Sequence, residues 1–113
     1  MTKPTRVLVM QIVRRVFPGR EPADVLAVLD RYGTESYHRE RERVQLAILK
    51  LCEEERRDDP AAYVDAACAD YRDVLAWAES PNLSRKAVCT DPAERKKLIA
   101  EDRAQYQAWL AGR

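Results

Sequence analysis

Glycine is scarce in this chain, with 3 residues among 113, and that scarcity excludes both common glycine-rich phosphate loops. Histidine is scarcer still, and His38 stands alone in a run of charged residues. Nucleophilic catalysis needs a base beside the nucleophile and a third group to orient it, and no such set is legible here. Cysteine occurs at Cys52, Cys68 and Cys89, an odd number. With His38 these make a three-cysteine, one-histidine set only on paper. Structural zinc pairs its ligands at spacings such as C-x2-C, whereas the nearest two here, His38 and Cys52, are 14 residues apart. No metal, no cofactor and no catalytic residue is expected.

Long apolar runs are also missing. No stretch approaches the roughly 18 residues of a membrane span. The short run Val7 to Val13 is interrupted by Gln11, is followed by Arg14-Arg15 and lacks the small-residue cleavage site after it that a signal peptide requires. A strong excess of one charge is absent too. The formal net charge is +1, with +3 in residues 1–57 and −2 in residues 58–113, so neither half has the basic surplus of a dedicated nucleic-acid binder. The basic groups Arg14-Arg15, Arg39/Arg41/Arg43 and Arg95-Lys96-Lys97 have acids close by and read as solvated faces. Cys52 and Cys68 sit among apolar residues of helical segments and read as buried free thiols of a reducing compartment. Cys89, after Lys86 in a loop, reads as an ordinary loop thiol. The expected location is cytoplasmic.

What remains is a helix-forming composition. Hydrophobic residues make up 46% and charged residues 35%, too apolar for a disordered chain, and Ala, Leu, Arg and Glu dominate. A chain of this length fits one domain. Punctuation divides it into five helical segments, which predicts an all-α fold, a compact bundle of about five helices over residues 1–113. The first segment, from about Thr5 to Phe17, carries Val9, Ile12, Val13, Val16 and Phe17 at helical spacing and stops at Pro18-Gly19. Its β-branched start, Val7-Leu8-Val9, leaves a strand open as the alternative for residues 5–17. The second segment starts at Pro22, a first-turn position, and reaches Gly33 as a left-handed terminator.

The third segment runs from about Glu35 to Glu54, and its apolar side chains cover roughly 200° of arc. An arc that wide predicts a central helix packed on two sides. The fourth is capped by Asp59, has Pro60 at its first position and stops at about Ser80 before Pro81. Asn82 to Thr90 reads as a loop. Asp91 to Glu94 has capping-box spacing and opens the fifth helix, which ends near Ala111.

Three stretches stand out together: Val25 to Gly33, Glu42 to Leu51 and Asp70 to Glu79. They resemble a family of small bacterial all-helical proteins for which no activity is known. The resemblance spans about residues 20–80 and implies a bacterial cytoplasmic setting. It promotes no residue to a site.

Two surface constellations are singled out by the residues themselves. On the fourth helix, Asp70, Asp73 and Trp77 share one flank within roughly 60° of arc. A Trp beside two carboxylates suits a cationic side chain of a partner, although the blander reading is that Trp77 closes the core edge of its own chain. Asp102 falls on the apolar stripe of the last helix between Leu98 and Tyr106, which predicts a buried carboxylate in a structural ion pair. The expected function is a non-enzymatic protein–protein interaction module, a homodimer or a complex with another protein. The alternatives are a small nucleic-acid-associated helical protein or an enzyme with an acidic and aromatic site.

Overall fold

Thr5 opens the first helix by accepting a hydrogen bond from the Leu8 N–H, and α1 then runs Arg6–Val16. In the computed structural model, which describes residues 2–85 and 91–112, this segment is helical and the strand alternative is excluded. Val9, Ile12, Val13 and Phe17 are all buried, and Val7 is left outside. Helical periodicity therefore wins over the local preference of the β-branched run, because only a helix puts those four side chains on one face.

Helix α2 is Pro22–Leu29, with its proline in the first turn as predicted. It ends before Gly33. Its last carbonyls are taken by the backbone N–H groups of Asp30, Arg31 and Tyr32, and buried Gln45 adds donors to the carbonyls of Leu29 and, beyond the helix, Tyr32, each at 3.1 Å. Gly33 has φ +128, and a Cβ there would run into the Arg41 side chain, so the turn requires glycine on both counts.

Helix α3 is Arg41–Glu54, starting later than the expected Glu35. His38 explains the difference. Its Nδ1 accepts the N–H groups of Gly33 at 2.8 Å and Glu35 at 3.3 Å, and its ring stacks on Tyr32. The Tyr32 hydroxyl donates to the Arg39 carbonyl at 2.6 Å, and Glu40 is left-handed at φ 50. These contacts fold residues 33–40 into a compact turn. From Val44 to Cys52 every residue is buried, Gln45 and Lys50 included. Consecutive burial over more than two turns surrounds α3 on all sides, wider than the apolar arc alone suggests. It packs against both α1 and α4 and is the central helix.

Helix α4, Ala61–Glu79, begins where the Asp59 carboxylate accepts the Ala61 N–H at 2.8 Å. It is interrupted at Asp70, whose backbone is extended (φ −157, ψ 102). The Asp70 carboxylate accepts the Arg72 N–H at 3.0 Å and so caps the second half anew. Val64, Ala67, Val74, Leu75 and Ala78 face the core. Cys68 does not. It is exposed, contrary to the expectation of a buried thiol, because it lies just before the interruption and lines an open hollow with Tyr32, Tyr37 and His38.

The expected loop at 82–90 is helical in its first part. Helix α5, Pro81–Arg85, is a short turn stacked between α4 and α6. The rest of that connection, with Cys89, lies outside the described residues. Helix α6, Pro92–Leu110, starts with Asp91 accepting the Ala93 N–H at 3.0 Å. Its far end is pinned by Arg15, which donates to the Trp109 carbonyl at 2.7 Å while lying over the indole ring, and by the Trp109 N–H, which donates to Glu53 at 2.9 Å. Six helices and no strand are present among the described residues, which makes the fold an all-α bundle.

Candidate functional site

The predicted contact flank is divided by the interruption in α4. Asp70 lies at the break, and its carboxylate is held by the Arg72 side chain and backbone, which keep it below the usual carboxylate range. The arc that was to join Asp70 to the other two residues assumed a continuous helix, and that assumption fails here. Asp73 and Trp77 both follow the break and remain one turn apart. Asp73 is exposed and makes no hydrogen bond or ion pair with any described residue. Trp77 is 45% exposed, so its own chain does not cover it. The Arg-rich start of α3 offers less to such a surface than the sequence suggests. Arg41 pairs with Glu42, and Arg43 is shared between Glu40 and Glu79.

Asp102 is buried as predicted, at 2% exposure, but its partners differ. It accepts the backbone N–H groups of Asn82 at 3.2 Å and Leu83 at 3.1 Å. No cation among the described residues pairs with it, so the expected ion pair is replaced by a capping role. The reason is that the first N–H groups of any helix have no intrahelical acceptor, and those of α5 point at the α6 carboxylate. Asp102 thereby ties the short helix to the long one.

A cleft of about 360 Å³ opens between α3, the end of α4 and α6, with Thr2 and Pro4 of the N-terminal arm at its edge. From α6 come Ile99, Arg103, Tyr106 and Leu110, spaced as one helical stripe. Across from them Arg43 grips Glu79 through two hydrogen bonds, Nε to Oε2 at 2.8 Å and Nη2 to Oε1 at 2.6 Å. That carboxylate holds the Arg43 guanidinium firmly protonated. Arg103 is exposed and has no ion pair with a described residue. Tyr106 is 7% exposed, and its hydroxyl is the one buried side-chain polar atom without a hydrogen-bond partner among the described residues. Burial and then the Glu79 charge push its ionisation up, so it stays a neutral O–H group. Lys50 lies nearby at 2% exposure, donating to the Ala78 carbonyl at 2.8 Å and paired with Glu54 at 2.8 Å, its ammonium 5.8 Å from the Tyr106 ring centre.

A second hollow, about 310 Å³, is lined by Tyr32, Tyr37, His38, Cys68 and the Asp70–Arg72 turn. Because His38 Nδ1 accepts two backbone N–H groups, the ring proton of neutral His38 sits on Nε2. His38 therefore serves the turn. Among the described residues no three His, Cys, Asp or Glu side chains converge as metal ligands.

Sequence reasoning did not single out Gln45, Lys50 or the Arg43–Glu79–Tyr106–Arg103 cleft. Gln45 and Lys50 carried a signal, since each lies within an otherwise apolar run of α3 that has no polar face to receive it. The cleft carried none, because its charged members come from three separate helices. No family model, curated protein or solved structure matches the chain.

Proposed function

We propose that this chain is a non-enzymatic helical interaction module that docks a protein partner, a second copy included, through the second half of α4. The observation that supports it is Trp77, a large aromatic side chain left 45% exposed, with Asp73, which pairs with no described residue, one turn before it. Interfaces favour Trp because it covers much area with few rotamers. An indole face beside a carboxylate suits an Arg or Lys of the partner. A protein partner is favoured over nucleic acid because the formal net charge is only +1 and Arg6, Arg31, Arg41, Arg43 and Arg72 each pair with a carboxylate. On the resemblance of its three stretches, we place the module in the bacterial cytoplasm.

The test is a photo-crosslinking amino acid at position 77 in cells of the natural host, with exposed Ala23 of α2 as the control position. A discrete adduct at 77, absent at 23 and reduced by Asp73→Asn, is the expected result. Equal labelling at both positions, or none at 77, would refute the reading.

A further inference from the structure

The cleft between α3, α4 and α6 has features that the interaction reading leaves unused. We infer that it binds a small molecule bearing a carboxylate on an apolar body, with the carboxylate held between Arg103 and the Tyr106 hydroxyl.

The size comes first. About 360 Å³ lies within the range of small-ligand sites, and this is the larger of the two hollows described. Polarity comes next. Arg103 lines the cleft with its guanidinium unpaired by any described residue. Gln107, one turn further along α6, gives its side-chain oxygen to the Thr2 N–H at 2.8 Å, which leaves its amide as a donor. Tyr106 adds a hydroxyl that has no partner among the described residues and remains protonated. Three donors on one helical stripe, with Glu79 already taken by Arg43, describe an anion site. Among the charged residues lining the cleft, Arg43 and Arg103 exceed Glu79 by one positive charge, in the same sense. The walls decide the rest of the ligand. Leu46, Ile99 and Leu110 present an apolar surface, which favours a carboxylate with a hydrocarbon body over inorganic phosphate.

The Tyr106 hydroxyl carries the most weight. Buried hydroxyls almost always find a partner in native folds, and one left without a partner costs stability. Here it has no solvent-exposed surface, and the charges it feels are those of Glu79 and Arg43. A ligand reaches it by displacing the Arg43 side chain, whose charge the hydroxyl feels and which is 40% exposed. A structural hydroxyl and a ligand hydroxyl then differ in a measurable way. Tyr106→Phe removes an unsatisfied polar atom, so it leaves stability unchanged or raised. It also removes a ligand donor, so it weakens binding.

The experiment titrates the full chain with hexanoate, hexanol, hexylamine and inorganic phosphate, each to about 10 mM, and follows backbone amide resonances. Hexanoate alone is expected to shift the amides of residues 99–110. Tyr106→Phe should weaken hexanoate binding about five- to tenfold with no loss of thermal stability, and Arg103→Ala about tenfold. Equal response to hexanol shows an apolar hollow with no anion site. A stronger response to phosphate or hexylamine, no response to any probe, or undiminished hexanoate binding in either variant overturns the inference.

Discussion

The Arg6 guanidinium and the Asp30 carboxylate meet in two parallel hydrogen bonds of 2.7 Å each, clamping the start of α1 to the end of α2. Gln45 extends the clamp from below: its amide donates to Asp30 at 3.2 Å and its oxygen accepts from Arg6 at 3.3 Å. Partial burial raises the Asp30 carboxyl, but the hydrogen bonds and charge of Arg6 outweigh it and hold the group below its ordinary value.

That clamp predicts a pH dependence. A carboxyl depressed on folding contributes stability above its unfolded value, near 3.9, and the contribution disappears as pH falls through the lower folded value. The stability gap between the wild type and Asp30→Asn should therefore be widest near neutrality and close as the solution is taken below about pH 4. Both side chains are partly exposed, so the gap is modest. Urea melts of the two proteins across that range measure it. A gap that persists undiminished into strong acid would show that the clamp is steric.

Asp102 predicts a local effect. Its carboxylate is the acceptor for two N–H groups of α5, which has no fully buried side chain of its own to hold it down. Asp102→Ala should cost about 1–3 kcal/mol. Asp102→Asn, which keeps one acceptor oxygen, should fall between. Amide hydrogen exchange gives the sharper readout: Asn82 and Leu83 should lose protection in Asp102→Ala by more than the residues of α3 do. Equal loss everywhere would place Asp102 in the global core and remove its capping role.

The helices were legible in the sequence wherever one side chain or one residue type decided the matter. Asp91 caps α6, Asp59 accepts the first N–H of α4 although Pro60 and not Asp59 holds the cap position, four of the five stripe residues of α1 are buried, and the wide arc of α3 makes it central. Legibility failed where a side chain captured backbone N–H groups and overrode the periodic pattern. His38 rewrites the first turns of the third segment by capturing N–H groups three and five residues away, and no periodicity announces that. Asp102 turns part of a presumed loop into a helix from 19 residues downstream. Asp70, a residue whose short carboxylate competes for backbone N–H groups, divides α4 and with it the predicted flank. Trp77 stands 45% exposed rather than closing the core edge, and Asp102 is buried with backbone N–H groups in place of the expected cation, both outcomes set by packing between helices.

The two described cysteines separate the two kinds of environment most cleanly, and they supply the last prediction. Cys52 is enclosed within α3, and burial, helped by the nearby Asp59 charge, pushes its thiol up to about 12. Only the thiolate reacts, so at neutral pH Cys52 is doubly protected, by lack of access and by lack of ionisation. Cys68 is on the surface beside the α4 interruption. With Cys89 replaced by Ser, so that only these two thiols remain, a chromogenic disulfide reagent near pH 8 should modify one equivalent quickly and the second only at the rate of unfolding. Mild urea should accelerate the slow phase and leave the fast one unchanged. Cys68→Ser should abolish the fast phase, and Cys52→Ala the slow one. The slow rate then reports how often the central helix is uncovered. Two equally fast phases would mean that α3 is open to solvent at Cys52 in the native protein, and the assignment of α3 as the core would fall with it.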